Sequence, residues 1–178
     1  MRDPRIEIIE DDITRCGVDA IVNAANERLS HGSGVNGAIQ RAAGPQLLAE
    51  CQRLGGCATG QAVATRAYRL HAKYVFHAVG PVWRGGNANE DALLAGCYDA
   101  CFLLAEQHGI ASIAFPAIST GIYGFPRERA ARIAATQTKD YLASGGGLPR
   151  ILFVAFGPQD KAVLESAFGE VFNAGQKD

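Results

Sequence analysis

Along this chain, short apolar runs alternate with longer segments that are apolar on one face only, and the two periods separate strands from helices. The runs "IEIIE", "DAIVN", "QAVAT", "KYVFHAV", "SIAF" and "RILFVAF" are brief and rich in β-branched or aromatic residues, as strands are. In the segment from Asn89 to Gly109, Leu93, Leu94, Cys97, Tyr98, Cys101, Phe102 and Ala105 recur at helical spacing. Asn89 is its expected cap, Glu90 and Asp91 fill the first turn, and Gly109 ends it. A second helix starts at Pro126 and stops in the glycines 145–147. A third places Val163, Leu164, Ala167, Phe168, Val171 and Phe172 on one face. Residues 34–56 form two helical pieces broken at Gly44 and Pro45. The order β, β, α-α, β, β, α, β, α, β, α predicts an α/β fold in which a mixed sheet is sandwiched between helices.

The chain has 178 residues, 48% apolar and 20% charged, which fits one domain with a full core. A net charge of −1 supplies no basic field, so general nucleic-acid binding through phosphate neutralisation is not expected and a small ligand fits better. The N-terminal sequence has no apolar signal region and no run approaches a membrane span, so the expectation is a cytoplasmic protein with no membrane partner. Five cysteines, odd in number and without a C-x-x-C pair, read as reduced and mostly buried thiols rather than a metal site. Neither a metal nor a cofactor is expected.

In sheets of this kind ligands sit beyond the carboxyl ends of strands. One loop there, "HGSGVNGAI" at residues 31–39, places Gly32, Gly34 and Gly37 in the order G-x-G-x-x-G ahead of an apolar run. A dinucleotide fingerprint would follow the first strand directly and be answered by an acidic residue about twenty positions on. Neither condition holds, which discounts a dinucleotide-dependent oxidoreductase. What remains is close backbone approach to a ligand and a helix start that attracts phosphate. A second loop, "PAISTGIYGFP", combines Ser119, Thr120, Gly121 and Gly124 with the rings of Tyr123 and Phe125, forming another anion nest. With no G-x-x-x-x-G-K-[ST] motif, two nests imply a diphosphate gripped by backbone rather than a phosphoryl group being transferred.

Together "DDIT", "DAIVNAAN", "GSGVNGAIQRAAG", "TGQAVAT", "VGPVWRGG", "FPAISTGIYGFP" and "LFVAF" resemble macrodomains of the MacroD type, bacterial ADP-ribose-binding proteins that often hydrolyse ADP-ribosyl esters. The resemblance spans roughly residues 6–172 and implies a single macrodomain over 1–178. Its fold would be a three-layer α/β/α arrangement with a mixed six- or seven-stranded sheet. It would act as a monomer on ADP-ribose, on mono-ADP-ribosylated proteins or on O-acetyl-ADP-ribose. By the resemblance, Asp12 accepts from the adenine amino group beside the Ile13 backbone, and Phe156 stacks on the purine. Asn26 bonds the distal ribose. Gly32, Ser33, Gly34 and Val35 lie against the diphosphate and distal ribose. Ser119, Thr120, Gly121, Ile122 and Tyr123 wrap the diphosphate, with Tyr123 closing over the ribose. From the residues alone, Asp12 could equally cap a turn, Phe156 lie in the core and Asn26 form a turn.

Two departures stand out. The family's aspartate after Gly-Val, taken to activate water, is Asn36 here, and a neutral amide can orient water but not accept its proton. His31 and Ser33 replace loop glycines. His31 is an alternative base, its plain reading a solvated loop side chain. The expected function is therefore either a hydrolase, with Asn26 positioning substrate, Asn36 orienting water and a substrate phosphate oxygen as base, or a non-catalytic ADP-ribose reader.

Overall fold

In the computed structural model, which describes residues 3–175, the two hydrophobic periods become six strands and five helices. The strands are β1 (Ile6–Glu10), β2 (Ala20–Ala24), β3 (Ala62–Arg66), β4 (Tyr74–Ala78), β5 (Ser112–Phe115) and β6 (Arg150–Ala155). The helices are α1 (Gly34–Ala43), α2 (Pro45–Leu54), α3 (Glu90–His108), α4 (Arg127–Ala143) and α5 (Pro158–Asn173), with a 3-10 turn at Ile13–Arg15. The sheet runs β1-β6-β5-β2-β4-β3, parallel throughout except for β3, which pairs antiparallel with β4 at the edge. It is thus the mixed six-stranded sheet that the element order predicts.

Strand side chains alternate between faces, and each face meets a different helical layer. On one, Val22, Phe76, Ile113, Phe115, Ile151 and Phe153 pack against α3, α4 and α5. Aromatic rings run through this layer: Phe115 lies 5.3 Å from Phe153, and Phe153 lies 4.6 Å from Phe168. On the other, Ile21, Val75, Leu152 and Val154 meet Ile39, Ala43, Leu47 and Cys51 of α1 and α2. The same face also carries Asn23, Thr65 and His77, all buried, two residues along from apolar partners on their strands.

Backbone chemistry sets the boundaries. Gly44, at φ 87°, ends α1 and starts α2, with Pro45 in the first turn that follows. Pro126 precedes α4 as its N-cap instead of opening the helix. Asn89 sits at the N-cap of α3 as expected, but in a left-handed conformation with no side-chain cap bond. Glu90 organises this end instead. Its buried carboxylate accepts the backbone N–H groups of Arg84 at 2.9 Å, Gly86 at 2.9 Å and Ala88 at 2.6 Å. The Arg84 N–H first, then those of Gly86 and Ala88, hold the Glu90 carboxyl down at about 2 against the opposing effect of burial.

Cys16, Cys51, Cys97 and Cys101 are buried free thiols, and Cys57 is half-buried. Burial pushes the Cys51 thiol up to about 11 and Cys97 to about 12, so both stay protonated and unreactive at neutral pH. Among the described residues no helix is long and apolar enough to cross a membrane.

Candidate functional site

Because β1, β6, β5, β2 and β4 run parallel, their carboxyl ends share one edge of the sheet, and a cleft of about 810 Å³ opens there. Each strand contributes the residues that follow it: Asp12 and Ile13 after β1, Asn26 after β2, Gly80 after β4, Phe156 after β6. The two sequence-distant loops face each other across it, residues 32–36 on one side and 116–123 on the other. Asp12, Ile13, Asn26, residues 32–36, residues 119–123 and Phe156, all singled out from the sequence, line this one cleft. His31, the alternative base, is exposed and is not among its lining residues.

Asp12 caps a turn and also lines the cleft. One carboxylate oxygen accepts the Thr14 backbone N–H at 2.9 Å and the Thr14 hydroxyl at 2.7 Å, capping the 3-10 turn. The other oxygen remains for a donor in the cleft. Phe156 is 94% exposed, which removes the core reading. It follows the last residue of β6 and offers an open aromatic face at the rim, where a flat heterocycle can stack.

At the other end Asn26 forms a turn. Its Oδ1 accepts the Ser30 N–H at 3.0 Å and hydroxyl at 3.2 Å, and its Nδ2 donates to the Ser30 carbonyl at 3.3 Å. The turn reading of Asn26 therefore holds, and a ligand hydroxyl here competes with Ser30 for bonds already made.

The glycine loop also differs from expectation, because its glycines answer different demands. Gly34, at φ 58° with open space around it, supplies a left-handed conformation at the start of α1. A Cβ on Gly32 would lie 2.6 Å from Asn36 Nδ2, and one on Gly37 would lie 2.6 Å from the Gly32 carbonyl oxygen. Those two positions let the loop close down on α1 and its own side chains, while Gly32 also lines the cleft. Ser33 is the N-cap residue of α1 without a side-chain cap bond, so its hydroxyl satisfies none of the first-turn N–H groups that face an anion.

Asn36 is buried and held from behind. Its Nδ2 donates to the Ser30 carbonyl at 3.2 Å, and its Oδ1 accepts from Asn23 Nδ2 at 3.1 Å. The same Asn23 nitrogen lies 3.1 Å from His77 Nδ1, and His77 Nε2 lies 2.9 Å from the Thr65 hydroxyl. An amide nitrogen only donates, so His77 Nδ1 must accept and the ring proton sits on Nε2, donating to Thr65. Burial pushes His77 down to about 4, which keeps the ring neutral and the chain of bonds intact at neutral pH. A carboxylate at position 36 could still accept from Asn23 but could not donate to Ser30.

The facing loop is held by backbone. The Trp83 N–H donates to the Tyr123 carbonyl at 2.8 Å and the Phe125 N–H to the Ser119 carbonyl at 2.9 Å. Ser119 is buried at φ 67°, with no hydrogen-bond partner for its hydroxyl among the described residues. A Cβ at Gly80 would collide with that hydroxyl, so the glycine is required where strand end and loop meet. Ile122 is 86% exposed at the rim.

Sequence reasoning missed the support behind the site, Asn23 and His77. Their signal was a polar residue at a strand position whose period-two neighbours, Ile21 and Val75, are apolar. It also missed the pair Arg127–Asp160, 3.1 Å apart in the cleft wall.

The sequence profile of the Macro domain matches residues 22–134. A macro domain-containing protein of Chlorobaculum tepidum is 53% identical over 162 residues, 91% of this chain and 94% of that one. A Pantoea vagans protein named O-acetyl-ADP-ribose deacetylase 1 is 52% identical over 156 residues, 85% of this chain and 91% of its own length. A solved structure of an Oceanobacillus iheyensis macrodomain variant with ADPR superimposes with a TM-score of 0.92 at 33% identity, covering 97% of this chain and 98% of that one. A matching profile, relatives at this identity and a shared strand-end cleft agree: the chain belongs to the macrodomain family.

Proposed function

We propose that this macrodomain binds ADP-ribose in the strand-end cleft and hydrolyses ADP-ribosyl esters, both O-acetyl-ADP-ribose and acidic side chains carrying one ADP-ribose. The observation that carries the reading is the cleft itself. Its lining combines an acceptor and an open aromatic face, Asp12 and Phe156, two backbone-rich loops, and the amides of Asn26 and Asn36. The names of the Pantoea vagans relative and the ADPR-bound Oceanobacillus iheyensis structure point to the same ligand. We read the chain as a single macrodomain acting as a cytoplasmic monomer without a cofactor.

In this reading adenine stacks on Phe156 and donates to Asp12, and the diphosphate takes N–H groups from the start of α1 and from residues 119–123. The ester lies beyond the distal ribose, near Asn26 and Asn36. Water adds to the ester carbonyl as its proton passes to a phosphate oxygen; the tetrahedral adduct then breaks its bond to the ribose oxygen, which takes that proton back, giving ADP-ribose and the free carboxylic acid. Asn36 can orient that water through the remaining lone pair of Oδ1. Because it cannot serve as base, hydrolysis is slow, in line with the roughly 100- to 10,000-fold that general-base help contributes. A non-catalytic reader is the second reading, favoured by the commitment of both ends of the Asn36 amide to Ser30 and Asn23. Following O-acetyl-ADP-ribose turnover by chromatography decides between them. Slow but protein-dependent release of ADP-ribose supports the hydrolase; tight binding with no release above the spontaneous rate supports the reader.

A further inference from the structure

The charges around the cleft fit an anionic ligand poorly. Among the described residues its charged lining is Asp11, Asp12, Asp160 and Arg127, three acids against one base. The single cation is engaged: Arg127 Nη1 lies 3.1 Å from Asp160 Oδ1, and the side chains are 55% and 26% exposed. Arg127 is the first residue of α4, directly after the 116–126 loop, and Asp160 lies in the first turn of α5. Arg127, Asp160 and Thr120 of the loop line both the main cleft and a narrow apolar cavity beside it. The guanidinium therefore stands next to the loop assigned to the diphosphate, on a stem long enough to move between partners.

We propose that Arg127 is a further ligand-binding residue, and that Asp160 sets affinity by competing with the ligand's phosphates for its guanidinium. Guanidinium binds carboxylate and phosphate through the same forked geometry, so the two compete for one group. With ligand absent, Asp160 neutralises the only cationic side chain among the described residues that line the cleft. When a diphosphate arrives, Arg127 is shared between them, and part of the binding free energy goes into loosening the ion pair. Asp160 thereby lowers affinity twice, by occupying Arg127 and by adding a negative charge to the cleft. This inference rests on the ADP-ribose reading of the cleft.

Titration calorimetry of the whole chain with ADP-ribose and with adenosine, at two salt concentrations, tests it. Wild-type binding of ADP-ribose is measured first; its absence would fail the ADP-ribose reading rather than this inference. Given binding, Arg127→Gln weakens ADP-ribose by about three- to tenfold, the scale of a charge-assisted bond at a half-exposed site, and leaves adenosine unchanged. Asp160→Asn tightens ADP-ribose by about two- to fivefold, with the gain shrinking at high salt. In the Asp160→Asn background the Arg127→Gln loss grows, because the guanidinium is then wholly available to phosphate. Thermal melts report any loss of folding separately. If both substitutions lower the melting temperature but leave ADP-ribose affinity unchanged, or shift adenosine and ADP-ribose equally, the pair is a helix-to-helix tie and the proposal is wrong.

Discussion

The two faces of the sheet are built from different material. Beneath α3, α4 and α5 the interior is almost wholly apolar, with Phe115, Phe153 and Phe168 in ring contact. Beneath α1 and α2 the interior holds Asn23, Asn36, Gln40, Thr65 and His77 among aliphatic side chains. Burying five polar side chains is costly unless their bonds are met, and two acceptors there, Asn23 Oδ1 and Gln40 Oε1, have no partner among the described residues. Burial of apolar surface stabilises the first face. The second spends part of that stability on holding one cleft residue, Asn36, in one orientation. The larger apolar core and the buried support of Asn36 thus lie on opposite sides of one sheet.

Substitutions on each face should separate the two contributions. The largest effect is expected from Phe153→Ala on the apolar face. It should destabilise the protein by about 3 to 5 kcal/mol, read from the urea midpoint, while the fraction still folded keeps its ADP-ribose affinity. A large affinity loss there would break the division.

The next effect is a pH dependence on the polar face. The His77 ring, lowered by burial from its ordinary 6.5 to about 4, takes up a proton more readily in the unfolded chain than in the folded one. Its contribution is therefore complete above pH 6.5 and is lost as pH falls toward 4, at up to about 1.4 kcal/mol per pH unit. Urea titrations between pH 7 and pH 4.5 should show this slope, and His77→Gln should flatten it. A slope that survives His77→Gln places the acid sensitivity elsewhere.

Asp12→Ala sits outside both interiors. It should weaken ADP-ribose binding by about 1 to 3 kcal/mol, the scale of losing a bond to a charged acceptor. The 3-10 turn also loses its cap, a smaller cost to stability. An unchanged affinity would remove Asp12 from the site.

Asn36→Asp acts on the reaction rate rather than on stability or affinity, and its effect is the most specific one. A carboxylate supplies the missing base, so ester hydrolysis should rise at least about tenfold. It also loses the donor to the Ser30 carbonyl, which only the protonated acid can replace, so the gain should grow with pH. A gain that is flat across pH would mean that Ser30 does not govern this position.

Much of this was legible in the sequence, for identifiable reasons. The strands and helices followed from hydrophobic period, and the strand-end loops followed from the parallel order they imply. Phe156 and Asp12 were found because they sit in motifs, although residue type alone left the first in the core and the second in a turn. The Asn23–His77–Thr65 chain was not legible: it joins β2, β4 and β3, and nothing in local spacing says that three polar strand residues meet. Asn89 is the N-cap of α3, as its residue type predicts, but that it makes no side-chain cap bond was not legible: the buried Glu90 carboxylate gathers three N–H groups that only the folded loop brings together. A second demand on Gly32 and Gly37 was not legible for a related reason. A glycine pattern reports that something approaches closely, and here what approaches is the protein's own amide and carbonyl.

Calorimetric titration of the folded wild-type chain with ADP-ribose, with AMP alongside, tests the central claim most directly. The cleft predicts micromolar affinity, about −8 kcal/mol, for ADP-ribose and weaker binding of AMP, which lacks the distal ribose and one phosphate. No detectable heat with ADP-ribose, under conditions where the protein is shown to be folded, would contradict it.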